Sequence, residues 1–478
     1  MMPPTNISLN SDVELGNKEE FGTRTSEANL KTSQGLESKR QTDEPSLMHK
    51  FLCYPTPSSL KLRSTSWLDG VRGIAALEVY LFHVFAIWLP LVHAWHADPD
   101  QVHILQMPFL RTFFVSGGTA VSLFFAISGY VLTHKAFGWM RSGSKHLVYP
   151  AVASSMFRRG FRLYLPPIIL TFFEMISTRF GYVPPLNFTF TPEPTFFAQC
   201  LDWVSATNRF VNPFNTYGRA LHGFLDHPKY DAVVWTIPLE FYGSLVCYTL
   251  LILLARVPGD GLRMGIVAIF ACFCLSMGSW NLFCFSTGML IADFNLGQGE
   301  NPAPSHPRIW TAVFIIAFYV CGFPALSLLD AKTKPMPGFE TLRSLTPMSL
   351  NIEDNARFWW SLSSVLLLLS ISQLPRLKKV FETSFCQYVG KISFSLYLVH
   401  EFCLVLYGLR WQEFLMHVAH VQPRANTFMY WLVCGVWLLS FTFSVFVIAA
   451  QVERWVDVPS VKFAKWLEGK CLKTYRRL

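Results

Sequence analysis

The sequence predicts an all-α fold: a polytopic transmembrane helical bundle of about ten spans behind a disordered cytosolic N-terminal segment. Three observations carry this. Of the 478 residues, 51% are hydrophobic and only 15% charged, where an ordinary soluble chain carries about 25% charged. The apolar residues gather in runs near the ~20 residues needed to cross a bilayer. Short basic loops separate alternate runs, as the positive-inside rule requires.

Residues 1–66 are polar, rich in Ser, Thr, Glu and Lys and poor in aromatics, a composition that predicts disorder. No apolar segment follows Met1, so no cleavable signal peptide is expected and the first span directs insertion. Spans are expected at 71–92, 112–133, 163–178, 235–254, 264–279, 281–294, 309–329, 357–373, 393–410 and 428–450. The fifth and sixth abut at Gly278-Ser279, as a short hairpin or one broken helix. Residues 151–165 are an amphipathic basic lead-in to the third span, and Pro166-Pro167 is expected to end or kink it. Residues 67–455 then form one transmembrane domain, and 456–478 a basic cytosolic tail. No internal repeat of the kind that builds many transporters is visible.

Lys135, Arg141, Lys145, Arg158, Arg159 and Arg162 lie between spans two and three, Arg256 and Arg263 between four and five, and Arg376, Lys378, Lys379 and Lys391 between eight and nine. These loops assign both termini to the cytosol, as an even number of spans demands. An endomembrane such as the ER is the expected location. Loop 179–234 then faces the lumen, where Asn187-Phe188-Thr189 is a glycosylation acceptor, while Asn6-Ile7-Ser8 stays unmodified.

The net charge of +9 is concentrated in such places: Lys462 to Leu478 holds six basic residues and one acidic. That tail suits the anionic headgroups of membrane lipids. Nucleic acid is not an expected partner, because no soluble domain presents a basic surface. The 11 cysteines are scattered, without metal-ligand spacing, and no metal is expected. No GxSxG, Walker, HExxH or dinucleotide motif stands in a supporting context.

Arg72 and His83 carry the chemistry. Eleven residues at about 100° each put both on nearly the same helix face, roughly 16 Å apart. Either side chain is costly in a span, so the pair marks a pathway or an active site. A neutral imidazole there can take a proton from a hydroxyl. Arg72, if not a snorkelling interfacial residue, joins Arg159 and Arg162, one turn apart, in a basic mouth. Guanidinium clusters grip phosphates bidentately, and coenzyme A esters carry both a pyrophosphate and a 3′-phosphate. Glu240, about one turn into span four, has three open roles: orienting His83, binding the acceptor, or pairing with an Arg. Glu78 lies about 140° from His83 and is expected to face another helix. His400 is either structural or catalytic.

Leu68-Asp69-Gly70-Val71-Arg72-Gly73-Ile74-Ala75-Ala76, with His83, resembles the opening motif of the acyltransferase-3 family of integral-membrane acyltransferases. Phe124 to Tyr130 is similar to its second-span motif, Arg158 to Arg162 with Leu165-Pro166 to its Arg-x-x-Arg segment, and Trp235 to Glu240 and Ser393 to His400 to its later motifs. The resemblance covers about residues 66 to 450, and its wording is that of the fungal branch. It implies a membrane-bound O-acyltransferase that takes acyl-CoA as co-substrate, with no permanently bound cofactor. His83 is the implied catalytic residue and Arg72, Arg159 and Arg162 the implied donor-binding set; Glu240 joins His83 as a catalytic candidate on its place in span four. The implied acceptor is a hydroxyl-bearing small molecule, a polyketide or terpenoid alcohol of secondary metabolism. Acylation of a cell-surface or cell-wall glycan is the alternative, and a membrane transporter the rival from another class.

Overall fold

A computed structural model describes residues 54–55, 62–86, 94–97, 102–184, 190–212, 220–221, 224–225, 227–299, 306–324, 335–347, 355–422 and 427–475. Apart from one hairpin of two-residue strands, β1 (Ala220–Leu221) and β2 (Phe224–Leu225), the regular structure is helical. The expected disordered segment lies largely outside these residues.

Each expected span overlaps one principal helix. They are α1 (Ser66–Ala86), α2 (Gly117–Arg141), α3 (Val148–Thr178), then, after the loop helix α4 (Phe196–Val211), α5 (Thr236–Leu254). The rest are α6 (Asp260–Ser276), α7 (Trp280–Gly297), α8 (Pro307–Cys321), α9 (Asn355–Gln373), α10 (Ser384–Cys403) and α11 (Phe428–Val452). Among the described residues, four helices are long and apolar enough to cross a membrane. A fifth is added if Ala356–Gln373 and Pro375–Phe381, bent by 104°, make one span.

Three boundaries are fixed or moved relative to expectation, the first by deciding between the two forms expected at Gly278-Ser279. The chain turns at Gly278, with φ +71°, so α6 and α7 form a hairpin and not one broken helix. Second, α2 runs eight residues past the expected end at 133, because Arg141 is held there by Asp293 at 2.7 Å and Asp260 at 2.8 Å. Third, Pro166 and Pro167 do not end the third helix; α3 continues from its basic lead-in through both. Each Pro removes one N–H, but buried helices re-satisfy the freed carbonyls from their surroundings. At the expected start of the tail, α11 passes through a π-turn at Glu453–Asp457 directly into α12 (Val458–Tyr475).

Side-chain pairs fix the helix directions. Trp67 meets Tyr130 and Gly117 faces Phe82, so α1 and α2 are antiparallel. Ser155 pairs with Tyr248 and Arg159 with Ser244, so α3 and α5 are antiparallel. By contrast α1 and α10 run parallel, joined at Arg72–Ser393 and again at His83–His400. Likewise α2 and α7 run parallel, from Phe125–Trp280 to Arg141–Asp293. Large apolar side chains face outward, such as Ile269 at 73% and Leu439 at 74% exposure, a surface suited to lipid and not to water.

Candidate active site

The site is built where α1, α3, α5 and α10 converge. The guanidinium of Arg72 is oriented by α10: Nε donates to Ser393 Oγ at 3.0 Å and Nη2 to the Gly390 carbonyl at 2.9 Å. Asp69, one turn back, lies 3.5 Å from it. On α3, Arg159 Nε donates to Ser244 Oγ at 2.9 Å, and its Nη2 pairs with Glu240. Glu240 also accepts from Ser128 Oγ at 2.5 Å. Of the three open roles for Glu240, pairing with an Arg is thus seen directly, and no hydrogen bond joins it to His83 among the described residues.

Arg72, Arg159 and Arg162 line one cavity of about 150 Å³. Lys391, Glu240 and Asp457 line it too, so four cations meet two carboxylates. Lys391 is anchored by Glu453 at 2.8 Å, and Glu453 accepts from the Tyr54 hydroxyl at 2.6 Å. Burial, with the Glu453 carboxylate beside it, pushes the Tyr54 hydroxyl up, which keeps it a donor. Asp457 Oδ1 is buried and has no hydrogen-bond partner among the described residues. Arg158 is elsewhere: it pairs with Glu468 of α12 at 3.3 Å. The inner walls are apolar and aromatic, with Phe124, Phe125, Ile237 and Phe394.

Tyr397 also lines the cavity, its hydroxyl tied to Thr236 at 2.6 Å and to the Val233 carbonyl. His83 does not line it. The His83 ring stands deeper along α1 and meets His400, three residues past Tyr397 on α10. His400 Nε2 is 3.0 Å from His83 Nδ1, and that Nδ1 is 3.1 Å from the Val79 carbonyl. Glu78 accepts the Ser116 N–H at 3.0 Å and so faces the start of α2, as expected. Asn187 lies outside the described residues.

Sequence reasoning left His400 open and missed Tyr397 and Asp457. One signal was present: Ser393, Tyr397 and His400 follow the i, i+4, i+7 spacing of a single helix face.

Residues 65–449 match the acyltransferase-3 family model, described as an acyltransferase domain. The chain is 31% identical over 444 residues to "O-acetyltransferase PaAT-1" of Phomopsis amygdali, covering 86% of each chain. It is 26% identical over 420 residues to "Acyltransferase clz18" of Cochliobolus lunatus, covering 75% of this chain and 85% of that one. "Acyltransferase R4" of a Phoma species is similar to the same degree over the same shares. No solved structure gives a significant match.

Proposed function

This chain belongs to the acyltransferase-3 family, and from that premise we propose that it is an O-acyltransferase moving an acyl group from a coenzyme A thioester to the hydroxyl of a small natural product. The observation that carries the reading is the cationic cavity whose Arg72 stands on the same helix face as His83. Arg72, Arg159 and Arg162, with Lys391 beside them, supply the charge for the donor phosphates, Arg159 being held by Glu240 and Lys391 by Glu453. The pantetheine arm runs inward along α1, over the roughly 16 Å between Arg72 and His83, and passes Tyr397 and Phe124 at the inner wall.

His83 Nε2 takes the acceptor's hydroxyl proton as the oxygen attacks the thioester carbonyl. The tetrahedral intermediate collapses, the C–S bond breaks, and the imidazolium returns its proton to the coenzyme A thiolate. Glu240 holds Arg159 and Ser128 in place at the wall beside this path. An acetyl group is supported by the printed name of one fungal relative, and a polyketide or terpenoid alcohol acceptor by the resemblance to the fungal branch. Ten spans, an ER-type membrane and cytosolic termini complete the proposal.

The test is thioester cleavage by protein purified into nanodiscs, with and without an alcohol acceptor. Acceptor-dependent release of coenzyme A is expected, and His83→Ala should lower kcat by about 10²–10⁴-fold with membrane insertion intact. Wild-type turnover in His83→Ala sinks the catalytic assignment. Profiling of a deletion strain should show loss of an ester and build-up of its free alcohol; labelled acyl groups entering polymer would instead identify a glycan acceptor.

A further inference from the structure

Resting on the acyl-transfer reading, we propose that His400 is a positioning residue: it locks His83 in the tautomer with the proton on Nδ1, which leaves Nε2 bare to receive the acceptor's proton. The argument is one of donors and acceptors. His400 Nδ1 lies 3.1 Å from the Leu396 carbonyl, its own helix partner one turn back. A carbonyl only accepts, so that nitrogen carries the ring's proton and His400 Nε2 presents a lone pair. The same nitrogen is 3.0 Å from His83 Nδ1, which also stands 3.1 Å from the Val79 carbonyl. Two acceptors therefore converge on His83 Nδ1, and only an N–H there satisfies both.

The opposite tautomers set a lone pair against the Val79 carbonyl and another against the Leu396 carbonyl, both at contact distance. His400 is 1% exposed, and Tyr80 and Tyr397 pack edge-on or tilted against its ring, so it cannot turn to water for other partners. When His83 gains its second proton, the Nδ1–H bond to His400 becomes charge-assisted and shortens the climb to the transition state. His400 thus acts through His83 and touches neither substrate.

His400→Gln places a side-chain oxygen near the position of Nε2 and preserves the acceptor; His400→Asn ends near Nδ1 and loses it. His400→Asn is expected to lower kcat about tenfold to a hundredfold, with KM for the acyl donor unchanged, and His400→Gln to recover much of that loss. Adding His400→Asn to His83→Ala should cost nothing further, because the pair works as one unit. Equal loss in Asn and Gln, or a further loss in the His83→Ala background, overturns the positioning role. An independent readout is the nitrogen-15 spectrum of labelled histidines in the full-length wild-type protein, with His83→Ala identifying the signals. Bare Nε2 and protonated Nδ1 are expected at neutral pH, and a protonated Nε2 overturns the lock. If His83→Ala keeps full activity while the spectrum shows the expected tautomer, the acyl-transfer role of His83 fails and the pairing stands.

Discussion

Gly73 and Gly390 meet backbone to backbone: a Cβ on Gly73 would stand 2.4 Å from the Gly390 amide nitrogen. One on Gly390 would stand 2.3 Å from the Asp69 carbonyl oxygen. No side chain fits there. This contact sets the distance between α1 and α10, and with it the Arg72–Ser393 bond at one end and the His83–His400 bond at the other.

Gly390→Ala should therefore push the two helices apart. Overpacking of this kind costs typically about 1–3 kcal/mol, read as a lower melting temperature in detergent. It should also raise KM for the donor, because Arg72 loses its seat. Gly435→Ala is the matched control, since a Cβ there meets nothing within 4 Å. Similar effects at the two glycines would show that the close approach does not position the site.

The four cations of the cavity are not equivalent. Arg72→Ala and Arg162→Ala should each raise KM for acyl-CoA about tenfold to a hundredfold, the worth of one charge-assisted bond, with a smaller effect on kcat. Arg158→Ala should leave KM where it was, because its partner is Glu468 and it stands outside the cavity. Steady-state kinetics at two salt concentrations check both statements. A KM effect for Arg158 as large as that for Arg162 would move the donor site away from this cavity.

Glu240 and Arg159 are both largely buried, with side-chain exposures of 13% and 14%. Removing one partner of such a pair leaves an uncompensated charge and costs about 3–5 kcal/mol, whereas replacing both by apolar groups is often neutral. Glu240→Leu should destabilise strongly, and Arg159→Met with Glu240→Leu should regain most of the stability. If the folded double variant also regains turnover, Glu240 serves Arg159; if it melts like wild type but stays inactive, one of the pair acts on a substrate.

Much of this was legible in the chain because helical spacing is a local property. The positions of Arg72 and His83 on one face, and of Arg159 and Arg162 one turn apart, follow from 3.6 residues per turn. The partner of His83 was not legible in the same way, since His400 lies 317 residues away and no spacing rule spans two helices. Asp457 is hidden by a boundary drawn from charge: it falls in the expected basic tail from 456, and the helix that crosses that point by a π-turn brings its carboxylate to the cavity. Pro166-Pro167 does not end its helix, because the rule that proline breaks a helix is calibrated in water.

The orientation of the site in the membrane makes a prediction of its own. Tyr54, ahead of α1, hydrogen-bonds Glu453, just past α11, so the two ends of the bundle meet at one face. Lys391 ties the same Glu453 to the cavity lining. Coenzyme A esters for this proposal come from the cytosol, so that face must be cytosolic. On that topology loop 179–234, which follows α3, is lumenal. Asn187 should then carry a glycan and Asn6 should not. Endoglycosidase treatment should sharpen the band on a gel, Asn187→Gln should abolish that shift, and Asn6→Gln should leave it. A glycan on Asn6, or protease access to loop 179–234 in sealed right-side-out microsomes, would invert the topology and with it the side from which the donor enters.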